Sequence, residues 1–499
     1  MKYIFLSFFL ILDLFSSTLH FSISSSPSRL NPLLATDSAS SEVADWIFNG
    51  LVSYDRDGKV ICRLAKSYHF KDSKTLIFRL KQNIKWSDGK EFSGDDVLFT
   101  YNLITSPKIY TPYKDTFRYV SSVKKLDKFT IEVKYKKPYY KALHTWMSAI
   151  IPKHMFEGKD DIMTNSFNQK PVGTGPYTID GFAISKDIKL YANKNYFLQR
   201  VNIDQITYHF IPDPATSFLM LKTKKLDLGS LTPLQLTRQI DDDFKNHYKI
   251  YEQPSNSYTY LGFNLKDKKF QNPKVREAIN IAINKQELVD ILFFGHGQVC
   301  NGPFMPKSFA YNKDIEFPKQ DIKRAIKLLK EAGYDKKTPL SFTITTNSNN
   351  PTRVYATQIL QHQLSRVNIK VTIRAMEWQA FLNTVVLPKK FEAVVLGWGL
   401  SLMPDPYSIW HSDGIKKGGF NFVSYKNNKV DSLIESSQES IDQEVLEKQF
   451  QEIFSLIVKD NPYIFLYIPN SITAVSKNIK NVSPSIIGIT HNVIDWIKP

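Results

Sequence analysis

Cysteine is nearly absent from this chain of 499 residues: only Cys62 and Cys300 occur. With none ahead of Cys62, a lipid-modified N-terminal cysteine is excluded. No C-x-x-C pair exists for zinc or for dithiol redox chemistry. G-x-S-x-G and H-E-x-x-H are missing too, so neither the nucleophile elbow of a hydrolase nor a zincin helix is present. The ten histidines are scattered and none pairs with another at metal-ligand spacing. No catalytic residue, metal site or cofactor is therefore expected. "WHSDG" puts His411 two residues before Asp413, an arrangement that more often caps a turn than binds a metal. Lysine and arginine never run five in a row, so the net charge of +17 reads as scattered surface lysines rather than a nucleic-acid arm. Past the N-terminus, no segment reaches the roughly 18 uninterrupted apolar residues that a membrane-crossing helix needs.

What the chain does have is length and rings. Its size predicts two or three domains of about 100–200 residues each. Thirty-four Phe, 25 Tyr and 7 Trp supply large cores and leave aromatic side chains to line a cleft. The N-terminus, "MKYIFLSFFLILDLFSSTLH", has one lysine, an apolar run from Tyr3 to Phe15 and then small polar residues. That order predicts a signal peptide over 1–20, with an uncleaved anchor as the alternative. An exported, soluble, periplasmic protein follows as the expectation. In an oxidising compartment Cys62 and Cys300 are the only available pair, so a disulfide is expected, with two buried free thiols as the other outcome.

Along the chain, "TLIFRLKQNIKWSDG" alternates as a strand and ends in a turn at Ser87-Asp88-Gly89. Ser93 and Asp96 then form a capping box for a helix closed by Pro107. "PVGTGPYTIDGF" carries Gly173 and Gly175, but alternation rather than a helix follows, so it predicts a turn into a strand and no phosphate loop. The second half alternates helices and strands. One helix starts at Asn272-Pro273, with apolar positions 275, 278, 279, 282 and 283, and another runs from Asp321 to Gly333. "FEAVVLGWG" is apolar enough to be a central strand. Its end, "GWGLSLMPDPYSIWHSDG" (397–414), lies where ligand-facing loops of an α/β sheet are found.

The order and spacing of "NPLLATDSASSEVADWIFNGLVSYD", "FRLKQNIKWSDGKEFSGDDVLFTYNLI", "PVGTGPYTI", "LGFNLKDKKFQNPKVREAINIAINKQELV", "GPFMPKSFAYN", "AMEWQAF" and the 397–414 stretch resemble the extracytoplasmic solute-binding proteins of family 5. Those proteins serve ABC importers of dipeptides, oligopeptides and sometimes nickel. The likeness covers nearly all of residues 21–499. It implies an α/β, two-lobed periplasmic-binding-protein (flytrap) fold with an extra small α+β domain and mixed β-sheets. Lobe I would take 21–47, 172–262 and 470–499; the additional domain 48–171; lobe II 263–469. Hinge crossings would fall near Gly262-Phe263-Asn264 and near Pro469-Asn470.

The resemblance also implies site residues. Trp378 and Trp398 match tryptophans that wall the side-chain pockets. Arg353 and Asn347 lie where the family holds a ligand carboxylate, and Tyr260 and Asn264 on the hinge strand would add contacts. The family's ammonium-binding aspartate is replaced by Ser401; Asp405 matches a later Asp-Pro of the same loop. Either another carboxylate such as Asp37 takes the ammonium, or the ligand has none. The expected function is capture of small peptides or peptide-like solutes for an ABC permease complex at the inner membrane. The protein should be a monomer with no nucleic-acid partner. A nickel-type metal chelate or an N-blocked or anionic solute is the alternative cargo, and an exported enzyme or chaperone the competing class.

Overall fold

A computed structural model describes residues 17–499 apart from positions 36, 108, 110, 112, 158–161, 184–185 and 417–418. Most of the expected leader lies outside the described residues, but its end does not. Thr18–Ile23 is a strand, parallel to Gln205–Phe210 and to Leu228–Ser230, with Leu19 and Phe21 buried. Period-2 alternation in "TLHFSI" outweighs the small polar residues that pointed to a cleavage region. A cut after residue 20 would remove half of this strand.

A twelve-stranded mixed sheet runs through the molecule. One half joins Thr18–Ile23 to the strands of residues 177–254; the other joins Ser257–Phe263, Ser341–Asn347, Lys370–Met376 and Ala393–Gly399. Each half carries its own helices, as the alternation in the sequence requires. The two halves share one strand, Tyr463–Ser476. Its first part pairs with Ser257–Phe263 and its second with Tyr248–Pro254. The first crossing therefore falls at Pro254–Ser257, earlier than the glycine at 262 suggested; Pro469–Asn470 is the second. Gly262 instead sits mid-strand, where a Cβ would press on Tyr260 and Val423.

The additional domain is a four-stranded antiparallel sheet, Ala65–Asp72, Thr75–Leu80, Thr130–Tyr135 and Val120–Asp127 in that spatial order. Helix Gly94–Thr105 packs beside it, and the Ser93/Asp96 capping box forms: the Asp96 carboxylate accepts from the Ser93 N–H at 2.9 Å. Gly173 and Gly175 lie against the end of helix Ser38–Ile47. A Cβ on Gly173 would stand 1.8 Å from the Ile47 carbonyl oxygen. That close approach explains the glycines without any phosphate.

The chain ends are knitted together. Lys498 Nζ donates to the Thr18 carbonyl at 2.8 Å and pairs with Asp227 at 2.9 Å. The expected disulfide does not form. Both cysteines are free: Cys62 is half-buried on the core shared by lobe I and the added domain. Cys300 is buried in a lobe II core, its thiol facing the Gly302 carbonyl. Each sulfur packs into a different body, and burial pushes the Cys300 thiol up to about 12, so it behaves as a small apolar group.

Candidate functional site

Both lobes, the added domain and the hinge enclose a cavity of about 590 Å³. Lobe II contributes the loop after Ala393–Gly399 and the Phe304–Phe309 segment. The added domain contributes Tyr54 and His144, the crossing contributes Gln253–Asn256, and lobe I contributes Ile486. Trp398 stands at the rim because the apolar strand that carries it ends there. Its ring stacks on Phe422 at 5.4 Å and its Nε1 donates to the Tyr463 hydroxyl at 3.3 Å. Leu400, Leu402, Met403, Phe304 and Ile409 make much of the remaining wall apolar. His144 is held neutral at physiological pH, because burial, aided by the Lys141 charge, lowers its pKa to about 4.

Ser401 and Asp405 both line this cavity, yet neither is free. The Ser401 hydroxyl donates to the Met403 carbonyl at 2.6 Å. One Asp405 oxygen accepts from the Tyr407 N–H at 3.1 Å; the other meets Lys141 Nζ of the added domain at 3.1 Å. Tyr140, next to that lysine, donates to the Pro404 carbonyl at 2.8 Å. Arg118 lies over the Tyr407 ring at 4.4 Å, within electrostatic reach of Asp405.

Deeper in lobe II, Arg353 Nη1 donates to Asn347 Oδ1 at 3.1 Å, so the two predicted carboxylate-site residues do come together. Gly397 backs them: a Cβ there would meet the guanidinium at 2.8 Å. The Arg353 Nε is buried without a hydrogen-bond partner, and among the described residues no carboxylate pairs with this arginine. Burial accordingly lowers its pKa. A buried cation lacking a counter-charge is costly unless something anionic arrives.

Residues 59–420 match the family model described as "Bacterial extracellular solute-binding proteins, family 5 Middle". The chain belongs to this family. It is 32% identical over 491 residues to the oligopeptide-binding protein AppA of Bacillus subtilis strain 168, covering 94% of this chain and 89% of that one. It is 28% identical over 470 residues to the glutathione-binding protein GsiB of Salmonella paratyphi A, covering 92% of this chain and 90% of the relative. Among solved family 5 folds, AppA in complex with a nonapeptide superposes with a TM-score of 0.83 at 30% identity, covering 97% of this chain and 99% of the other. NikZ from Campylobacter jejuni in complex with Ni(L-His) gives 0.84 at 27%, covering 97% and 100%. The two-lobed α/β architecture is that of these family 5 proteins.

The remaining predicted site residues do not line this cavity and make contacts within the protein. Tyr260 is buried and stacked on Tyr463 with ring centroids 3.7 Å apart. Asn264 donates to the Lys389 and Phe391 carbonyls and brackets a loop. Trp378 packs beside Phe381 on the lobe II core and does not line the cavity. Asp37 caps helix Ser38–Ile47, accepting from the Ser40 N–H at 2.7 Å. Burial works against its charge, but hydrogen bonds from Ser28 and Ser40 outweigh it and lower its pKa. Sequence reasoning missed Glu42 and Asp45 on that same helix. Both are solvent-exposed on the helix surface, and Glu42 lines a second cavity of about 580 Å³ that shares Gln253 with the first. Desolvation by the protein around them still raises both pKa values, that of Asp45 to about 6 with help from the Glu42 charge. The three-residue spacing in "SEVADW" was the signal available: it puts both carboxyls on one helix face.

Proposed function

We propose that this chain is the substrate-binding component of an ABC importer, taking a small peptide or peptide-like solute into the cavity between its lobes and handing it to a membrane permease outside the cytoplasm. The observation that carries this is the cavity itself. Its walls come from both lobes, so a ligand touches every wall only when the lobes are together. Binding energy that exists only in the closed form shifts the population toward closure. Arg353 beside Asn347 is an unpaired cation of lobe II that lies outside the residues lining this cavity, and it would meet a ligand carboxylate where the ligand reaches beyond that lining. AppA, whose known ligand class is oligopeptide, supports the same reading.

Calorimetry and thermal shift with di- to pentapeptides test it, together with native mass spectrometry of the protein as purified. One-to-one binding, a raised Tm and no cleavage of the bound peptide after prolonged incubation are expected. The last result separates a carrier from an exported enzyme. No peptide giving either signal would sink the proposal.

A chelated metal is the second reading, favoured by the likeness to NikZ with its nickel–histidine complex. Among the described residues no group of three His, Cys, Asp or Glu could hold a metal ion, so the metal would have to bring its own ligands. Nickel–histidine raising Tm where peptides do not would decide for it.

A further inference from the structure

The cavity between the lobes is lined by two carboxylates, Asp57 and Asp405, among the described residues. Asp57 is largely exposed and lies beside Arg56 at 3.7 Å. Asp405 is different: both it and Lys141 are about three-quarters buried, at 23% and 21% side-chain exposure, and they meet at 3.1 Å. The lysine comes from the added domain, 264 residues away in sequence. Its neighbour Tyr140 is pinned to the Pro404 carbonyl, so the ammonium is held in place by a second bond rather than by charge alone. Arg118 adds a second cation on the same side. Lys307 on the opposite wall has no carboxylate partner among the described ion pairs.

We propose that Lys141 occupies the place a ligand ammonium would take on Asp405, and that the cavity therefore selects ligands whose end at the Trp398–Asp405 loop carries no positive charge. N-acylated peptides, or peptide-like solutes with no free amine, are that class. The proposal rests on the peptide reading above and narrows it. A free α-ammonium entering at the Trp398–Asp405 loop would meet an Asp405 already paired with Lys141 and near Arg118, Asp57 being the one other lining carboxylate and lying beside Arg56, and the apolar side chains of Leu400, Leu402 and Met403 offer it nothing in place of water. An acyl cap loses no charge on entry and adds apolar surface to an apolar wall.

The decisive measurement is calorimetry on one tetrapeptide with an apolar first residue, in free-amine and N-acetyl forms, at neutral pH. The acetylated form should bind tighter by on the order of tenfold or more. In Lys141→Met the Asp405 carboxylate is released, and the free-amine form should gain by a similar factor while the acetylated form stays level. Ser401→Asp gives the same gain by a separate route. It places a new carboxylate at an exposed loop position and keeps the experiment decisive if the lysine variant does not fold.

Wild-type protein binding the free-amine form as tightly as the acetylated one overturns the proposal. Loss of that affinity in Glu42→Gln would then locate the amine in the second cavity. Neither variant gaining free-amine affinity overturns it as well. Neither peptide binding wild-type protein at millimolar concentration overturns the peptide reading itself, and this proposal with it.

Discussion

Arg353 shows how one residue reports the intent of a site. A structural arginine is normally satisfied within the protein, but this one keeps a buried Nε without a partner and no carboxylate beside it. Replacing it with methionine should weaken a peptide bearing a free C-terminal carboxylate by about 2–5 kcal/mol, the usual cost of losing one partner of a buried charge pair. The same peptide amidated at that end should lose far less. The empty protein should melt no lower than wild type, because an uncompensated charge has been removed. A fall in Tm with no difference between the two peptides would make Arg353 a structural residue. Of the residues singled out in the sequence, Trp398, Ser401 and Asp405 line the cavity, while Arg353 and Asn347 meet each other outside its lining. Tyr260, Asn264, Trp378 and Asp37 lie outside the cavity's lining, and their contacts show that rings, amides and carboxylates that bind ligands also pack cores and cap helices. Lys141 was invisible, since its partner is 264 residues distant and no local pattern marks it.

At the scale of elements, local chemistry carried most of the reading. The helix starts at Ser93, Asn272 and Asp321 each show the predicted side-chain cap. The predicted core positions Val275, Ala278, Ile279, Ala282 and Ile283 are all buried. The long strand Tyr463–Ser476 has no such local mark. A proline at 469 reads as an end, yet the strand continues there into its partnership with Tyr248–Pro254. The "GTG" turn was read as a turn, but its tertiary cause could not be. Gly173→Ala would drive a methyl to 1.8 Å from the Ile47 carbonyl oxygen, and backbone on both sides cannot yield cheaply. Chemical denaturation should show a loss on the order of 3 kcal/mol. A loss under about 0.5 kcal/mol, the range of ordinary surface substitutions, would mean the helix end moves freely.

At the scale of the whole molecule, the two lobes and the added domain meet at the cavity through specific pairs. Besides Lys141–Asp405, Lys137 meets Glu439 at 3.1 Å and the Tyr140 ring packs on Phe450. No covalent link supplements them. Because Cys62 and Cys300 are free thiols in separate cores, reductant should leave Tm unchanged, within the error of a thermal scan with and without dithiothreitol. A drop of several degrees would show a disulfide after all. Composition and compartment argued for that bond, but they say nothing of distance, and only the packing of the cysteines in different bodies decides it.

The knot of Thr18, Asp227 and Lys498 has a consequence for the birth of the protein. Residues 257–469, between the two crossings, are one unbroken stretch, so that half of the sheet has its full complement of chain before Lys498 is made. Lobe I has not: its strand Thr18–Ile23 is made 475 or more residues ahead of Lys498, the lysine that clamps it. Assembly should thus proceed from the middle of the chain outward. Thr18–Ile23 and Lys498 come together only after the interior has set, and that strand needs shelter until the lysine is in place.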